Sequence, residues 1–134
     1  MLIRVDEASE RAIYAQIADS VRTDISLGRI TPGSVLPPAR EVAAALGINV
    51  HTVLRAYQLL RDEGLIDLKR RRGAVVTQAA GAIAELRVEV QSLVTRAAAL
   101  GVSPDALAAL IAGSAAAPHA TTPQVGDITE GTAA

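Results

Sequence analysis

Residues 36–76 constrain the fold of this chain more than any other part of its 134 residues. They predict two short helices joined by a turn, with the second helix ending at Gly64. Two β-prone runs follow, 65–68 and 74–77, separated by a basic Lys-Arg-Arg-Arg-Gly sequence. A helix sized for the major groove, followed by a hairpin with a basic tip, is a surface for duplex DNA. We therefore expect an α+β, mainly helical fold built on a winged helix-turn-helix.

Composition excludes several classes of protein. The chain contains no cysteine, so disulfides and thiolate metal sites are excluded. Its two histidines, His51 and His119, stand apart from any run of carboxylates, and we expect no metal and no other cofactor. The N-terminus lacks the apolar region of a signal peptide, and proline, threonine and histidine interrupt the charge-free stretch 106–126, which is therefore not a membrane span. We expect a cytoplasmic protein.

The net charge of −1 conceals an uneven distribution of charge along the chain. Residues 1–77 contain eleven Lys or Arg against nine Asp or Glu, whereas residues 78–134 contain two against five. Four consecutive basic residues, Lys69 to Arg72, concentrate the positive charge further. A local basic patch predicts phosphate attraction at one place, to which specific contacts must add.

The spacing of apolar residues predicts a long helix ahead of the helix-turn-helix, from about Glu10 to Leu27. Isoleucine or valine recurs every fourth residue in it, with Ser9 placed to cap its start and Gly28 to end it. Before this helix, residues 2–5 alternate weakly in hydropathy and predict a short edge strand.

The two helices of the helix-turn-helix have clear boundaries in the sequence. The first begins near Pro38, where proline is tolerated because first-turn amides lack intrahelical partners, and it ends at Gly47. Asn49 is a good N-cap for the second. The apolar spacing of the second helix predicts one buried face and one outward face. The buried residues are Val53, Ala56, Tyr57 and Leu60, and the outward residues are His51, Arg55, Gln58 and Asp62.

The outward face of this helix has two interpretations: a DNA recognition surface, or the solvated side of an ordinary helical hairpin. The wing favours recognition, because Arg70, Arg71 and Arg72 at a hairpin tip suit phosphates or the minor groove. We take His51 as a neutral donor to a phosphate or base rather than a titrating switch. Arg40 lies in the first turn of the helix that crosses the backbone, which favours a phosphate contact over a purely structural role.

Beyond Thr77 the sequence becomes alanine-rich and predicts a helix with a heptad-like apolar seam. Ser103, Pro104 and Asp105 mark the start of a last helix. The seam either packs onto the first helix of the same chain or binds a second copy, and its length favours self-association. The seam residues are Ile83, Leu86, Val90, Leu93, Ala97 and Leu100, completed in the last helix by Leu107, Leu110 and Ile111.

These elements predict three segments. Residues 9–77 form the winged helix-turn-helix DNA-binding domain, and residues 78–112 form a helical dimerisation segment. From Gly113 the Ala/Thr/Pro/Gly-rich sequence has nothing to bury, so we expect residues 113–134 to be disordered. Dimerisation suits DNA binding because one winged helix contacts few base pairs, whereas a two-fold dimer contacts two half-sites.

The motifs together resemble those of the GntR family of bacterial transcriptional regulators, and in particular its short YtrA-like subfamily. The resemblance covers residues 11–112. Residues 11–17 are similar to the family's opening motif, residues 27–37 to its Pro-Gly turn, and residues 46–53 to the subfamily's segment at the start of the recognition helix. Residues 39–43 are similar to the family's first helix of the helix-turn-helix, residues 55–57 and 59–66 to the rest of the recognition helix and its end, and residues 71–76 to the glycine-containing wing.

The resemblance implies DNA contacts from Arg40, Asn49, His51, Thr52 and the wing around Arg72 and Gly73. The outward face adds Arg55, and the basic tip adds Arg70 and Arg71. Val50 and Leu54 depart from the family, because many members have a basic or polar residue at these positions. An apolar contact from either of them to a thymine methyl group stays open.

We therefore expect a homodimeric, sequence-specific transcriptional repressor that binds a palindromic operator in double-stranded DNA. The resemblance further implies repression of its own operon and of neighbouring transporter genes. A different class of function, a winged helix that docks onto other proteins without specific DNA binding, is opposed by the basic wing. No paired carboxylates, nucleophile-base set or phosphate-binding glycine loop supports an enzyme. The sequence identifies no small-molecule effector.

Overall fold

The computed structural model describes residues 3–116, which divide into a first compact unit ending at Val88 and a second beginning at Glu89. The first unit contains the predicted winged helix-turn-helix. The described residues form five helices and two strands: α1 (Ile13–Ser26), α2 (Ala39–Leu46), α3 (Val50–Asp62), β1 (Ile66–Lys69), β2 (Gly73–Val76), α4 (Gln78–Ala99) and α5 (Pro104–Ala116).

The helix α1 begins later than its apolar spacing predicts. The Ser9 hydroxyl accepts a hydrogen bond from the backbone N–H of Arg11 (3.1 Å) in a turn before the helix, and Ala12 occupies the N-cap without a side-chain cap. The prediction that Ser9 caps α1 is therefore wrong, because its hydroxyl is already committed to a local turn. The predicted end is confirmed: Gly28 follows with a φ of 76°, a left-handed conformation that favours glycine.

The edge strand predicted at the N-terminus is wrong for residues 3–5, which form no strand. Ile3 and Val5 are half-buried and pack against the core. The Arg4 backbone N–H donates to Ser20 Oγ (3.2 Å), and the Ser20 hydroxyl donates to the Arg4 carbonyl oxygen (3.1 Å). A side chain of α1 thus satisfies backbone groups that a neighbouring strand would otherwise pair.

The predicted helix-turn-helix is confirmed. α2 ends at Gly47, whose φ of 68° turns the chain, and the Ile48 N–H donates to the Ala43 carbonyl (3.0 Å). Asn49 then caps α3, its side-chain oxygen accepting from the His51 backbone N–H at 2.8 Å. The buried face of α3 is also as predicted, with Val53, Ala56, Tyr57 and Leu60 all buried.

The strands β1 and β2 form an antiparallel hairpin in which Ile66 pairs with Val76 and Lys69 pairs with Gly73. The observed strands are displaced by one residue from the predicted runs 65–68 and 74–77. The turn explains the displacement: Gly73 has a φ of 79° and closes the hairpin directly opposite Lys69.

The chain segment before α2 attaches to the outer edge of this hairpin. The Leu36 N–H donates to the Ala74 carbonyl (2.8 Å), and Gly33 and Ser34 exchange hydrogen bonds with Val76 (both 2.8 Å). Val35 forms an isolated bridge with Val75. These backbone bonds fix the wing to the connection between α1 and α2.

The core of the first unit is aliphatic, with Tyr57 as its one buried aromatic side chain among the described residues. It collects the inner faces of α1, α2 and α3, the wing and the start of α4. Its members are Ile17, Ala18, Val21, Ile25, Ile30, Leu36, Val42, Ala43, Val53, Ala56, Tyr57, Leu60, Leu65, Ile66, Ala74, Val76 and Ala80.

The start of α5 agrees with the sequence, because Ser103 Oγ accepts from the Ala106 backbone N–H at 3.1 Å. Its end does not. The helix continues through Gly113 to Ala116, so the expectation of disorder is wrong for residues 113–116. Alanine favours helix strongly enough to offset the single glycine. The rest of the predicted tail, residues 117–134, lies outside the described residues.

The alanine-rich helices α4 and α5 raise the question of a membrane span. Within residues 3–116, no single helix is both long and apolar enough to cross a membrane. Only the bent pair formed by α4 and α5 together meets that combination of length and composition.

We predict that Leu60→Ala lowers the free energy of unfolding by about 2–5 kcal/mol, because it empties a fully buried position. Leu54→Ala on the same helix, where the side chain is 39% exposed, is expected to cost less than about 1 kcal/mol. Urea unfolding followed by circular dichroism measures both. Equal losses for the two variants would contradict the orientation of α3 described above.

Candidate nucleic-acid interface

The helix α3 presents a row of exposed side chains at alternating steps of three and four residues. His51, Leu54, Gln58 and Arg61 form this row, which we call the α3 stripe. Residues at these steps share one face of a helix. The helices α1 and α2 both pack on α3 and leave the stripe exposed. An exposed helix face of this kind has the size to fit a major groove. At its far end, the Arg61 guanidinium is bonded to the neighbouring Asp62 carboxylate (3.2 Å).

Arg55 borders the α3 stripe but is engaged with another helix. Its guanidinium carbon lies 3.9 Å from the centre of the Tyr14 ring of α1. This is a cation–π contact, and it holds the cation on the α1 side of α3. The sequence predicts Arg55 on one outward face with His51, Gln58 and Asp62, whereas the structure engages its guanidinium with Tyr14 of α1.

The N-terminal ends of α2 and α3 contain three predicted contact residues besides His51. Arg40 is exposed in the first turn of α2. Asn49 is exposed, and its oxygen is committed to the α3 cap, so its Nδ2 group is the part able to donate to a phosphate. Thr52 is half-buried in the first turn of α3. The partial positive charge of helix N-termini also favours phosphate near these residues.

The wing tip is exposed and strongly basic. Lys69, Arg70, Arg71, Arg72 and Gly73 are all exposed, and Lys69 makes a loose ion pair with Asp67 (3.9 Å). Among residues 3–116, no carboxylate pairs with any of the three arginines. Concentrated cationic charge on a hairpin tip is suited to a polyanion.

Tyr57 positions the site rather than contacting DNA. Its ring is buried, and its hydroxyl donates to the Pro37 carbonyl oxygen at 2.6 Å. Burial raises the pKa of Tyr57 to about 12, so the hydroxyl stays protonated and remains a donor at neutral pH. This bond ties the middle of α3 to Pro37, two residues before α2 begins. The burial of the ring confirms Tyr57 as a core residue.

An ion-pair network fixes the other end of α3. Arg22 of α1 bonds both oxygens of Glu63, at the C-cap of α3, at 2.7 and 2.6 Å, and it also bonds Asp19 at 2.7 Å. Hydrogen bonding to Glu63 raises the pKa of Arg22, with the charge of Asp19 adding to it and partial burial opposing it. The network therefore joins α1 to α3 through a cation that stays charged.

Sequence reasoning missed three of the four residues of the α3 stripe as interface candidates. Gln58 was placed on the outward face but was not assigned a contact, and Leu54 was left open beside Val50. Arg61 was assigned neither a face nor a contact. The signal was present in the sequence, since Leu54, Gln58 and Arg61 lie three, seven and ten residues beyond His51, at the spacing of one helix face. No group of three or more histidines and carboxylates able to hold a metal ion occurs within the described part of the chain.

Comparison with known proteins matches this chain to one family of bacterial regulators. Residues 13–76 match the family model described as bacterial regulatory proteins, gntR family. The HTH-type transcriptional repressor YtrA of Bacillus subtilis is 30% identical over 112 residues, covering 79% of this chain and 86% of that protein.

Two solved structures extend the match to the fold. One is YtrA from Sulfolobus acidocaldarius, described as a GntR-family transcription factor, with 37% identity and a TM-score of 0.56 over 74% of this chain and 99% of that one. The other is a GntR family transcriptional regulator from Listeria monocytogenes, with 25% identity and a TM-score of 0.57 over 81% of this chain and 98% of that one.

We predict that replacing Arg70, Arg71 and Arg72 together with alanine weakens binding to all DNA sequences. Each phosphate contact contributes about −0.9 to the slope of log affinity against log salt concentration, so the slope should flatten by roughly two to three units. Fluorescence anisotropy over a series of salt concentrations measures it. An unchanged slope would remove the wing from the interface.

We predict that His51→Ala discriminates between specific and nonspecific DNA. Loss of a base contact at the start of α3 should cost about 1–3 kcal/mol on the preferred sequence and less on random duplex. Competition binding with both duplexes gives the two losses side by side. Equal losses would mean that His51 contacts only phosphates.

Proposed function

This chain belongs to the GntR family of bacterial regulatory proteins, and we propose that it is a homodimeric repressor binding a palindromic operator through the α3 stripe and the wing. It is a DNA-binding transcriptional regulator, from a family of regulators rather than of enzymes. The observation that best supports the proposal is that one folded unit contains both the exposed α3 stripe and an exposed basic wing tip.

In this proposal some contact residues bind the phosphate backbone and others contact a base edge. Arg40, Asn49 and Thr52 hold phosphates at the helix N-termini, while the wing from Arg70 to Gly73 attracts the backbone without regard to sequence. His51 donates to a base edge within the major groove. Arg55 remains stacked on Tyr14 at the border of the α3 stripe. From there its positive charge supports phosphate binding.

We assign DNA binding to residues 9–77 and dimerisation to the helical segment 78–112. The second unit contains five large aliphatic side chains between 45% and 73% exposed: Val90, Leu93, Leu100, Leu110 and Ile111. Within the same unit Ala97 and Leu107 are buried in a single chain. An apolar surface of this extent on a small protein favours contact with a protein partner, and a second copy suits a two-fold operator.

The two remaining seam residues lie in the first unit. Ile83 is half-buried and packs against the core, whereas Leu86 is half exposed. Ile83 thus serves the winged-helix unit within one chain, and Leu86 extends the apolar row of α4 toward the proposed dimer contact.

The proposed setting is the bacterial cytoplasm, where operator DNA lies. Repression is proposed because the relative in Bacillus subtilis is named a transcriptional repressor. The chain's own operon and neighbouring transporter genes are the proposed targets, following the family resemblance.

Selection from a library of random duplexes tests the proposal. Binding should enrich an inverted repeat whose half-sites are spaced by about one helical turn, roughly 10–10.5 base pairs, or a multiple of it. Affinity for the enriched sequence should exceed that for random duplex by about 10³-fold or more. A lack of any enriched sequence would favour the alternative, a winged helix that docks onto proteins.

We predict that Leu93→Glu converts the dimer into a monomer, because two carboxylates would be buried in an apolar contact across the two-fold axis. Operator affinity should fall by about 10²–10⁴-fold, since one molecule no longer holds both half-sites. Light scattering and mobility shift measure the two effects.

The matched control for this prediction is Ser92→Glu. It adds the same charge at the preceding residue, which is exposed in the second unit and lies outside the apolar seam. The control should remain a dimer with parental operator affinity. If Leu93→Glu also remains a dimer, or if the parent is a monomer, the helical segment is not the dimerisation element.

A further inference from the structure

The α3 stripe contains one side chain that differs chemically from its neighbours. Leu54 is an aliphatic residue, 39% exposed, one turn beyond His51 and one turn before Gln58. A single exposed leucine on a protein surface is ordinary. Leu54, however, lies in the middle of the surface proposed to enter the major groove. Binding there removes its side chain from water, and the free energy gained depends on whether the facing DNA group is apolar or polar.

The structure also separates Leu54 from Val50, the other apolar residue at the start of α3. Val50 is half-buried and packs against the core, so much of its side chain is already committed within the protein. Leu54 is not among the residues that pack on this core. Of the two, Leu54 is therefore the residue available to DNA.

The nearest cation does not compete for the same position. Arg55, the next residue, is stacked on Tyr14 at 3.9 Å on the α1 side of the helix. The middle of the α3 stripe therefore presents an aliphatic surface with polar side chains on either side of it. Among the groups that base pairs present in the major groove, the thymine 5-methyl is the apolar one.

We propose that Leu54 is a specificity-determining residue that packs against a thymine methyl group in each half-site of the operator. The proposal rests on the function proposed above, that α3 lies in the major groove. It requires a thymine at a fixed position in the half-site, flanked by the bases that His51 and Gln58 contact. The basic wing takes no part in this preference.

The expected effect follows from the size of the buried group. Burying one methyl-sized group is worth about 0.8 kcal/mol, which corresponds to roughly four-fold in affinity. With one such contact in each half-site of a two-fold operator, removal of both methyl groups should weaken binding about 15-fold.

Deoxyuridine substitution tests the proposal, since it removes the methyl group and leaves base pairing intact. In the operator obtained by selection, each thymine of the half-site is replaced in turn, symmetrically in both halves. Binding is measured for the parent protein, Leu54→Ala and Leu27→Ala. Leu27 is the matched control, because it is also 39% exposed but follows α1 and lies outside the α3 stripe.

The parent and Leu27→Ala should each lose about 15-fold at one thymine position, and Leu54→Ala should lose less than about two-fold there. Leu54→Met, which keeps an aliphatic surface of similar volume, should retain most of the sensitivity. Retained sensitivity also shows that variants at this position fold and bind.

Two results would overturn the proposal. In one, no deoxyuridine weakens binding of the parent protein; in the other, the sensitive thymine keeps its full effect in Leu54→Ala. Failure of the proposed function is a separate outcome, because the selection would then yield no operator on which to make the substitutions.

Discussion

Burial of one face of α3 is the constraint on which the rest of the structure depends. Val53, Ala56, Tyr57 and Leu60 are each at most 3% exposed, packed with the inner faces of α1 and α2. Because helical side chains are fixed in angle relative to one another, this burial determines which residues remain outside. The α3 stripe is thus a consequence of core packing, and its chemistry then determines which DNA it suits.

Polar contacts fix the position of α3 along directions in which apolar packing alone would allow it to shift. Asn49 fixes the first turn of α3, the Tyr57 hydroxyl fixes its middle to Pro37, and Arg22 fixes its end through Glu63. The two neutral hydrogen bonds, at Asn49 and Tyr57, each contribute on the order of 1 kcal/mol to stability. Together with Arg22 they hold α3 at three points along its length, which a surface that must match base edges requires.

Much of this arrangement could be predicted from the sequence because it depends on local periodicity and capping. The helix-turn-helix boundaries, the buried face of α3 and the Asn49 cap follow from spacing and from single residue types. The stacking of Arg55 on Tyr14 could not be predicted, since it joins side chains 41 positions apart across a tertiary contact. The Ser9 turn and the Arg4–Ser20 hydrogen bonds could not be predicted for a related reason. A serine hydroxyl has several possible hydrogen-bond partners, and the sequence does not show which of them it bonds.

Methylation interference on the selected operator shows whether the exposed face of α3 contacts DNA from the major groove. Dimethyl sulfate modifies guanine N7 in the major groove and adenine N3 in the minor groove. We expect N7 methylation within the half-sites to block binding, and N3 methylation to interfere at most where the wing reaches the adjoining backbone. Interference confined to adenine N3, with N7-methylated half-sites bound normally, would contradict major-groove contact by α3.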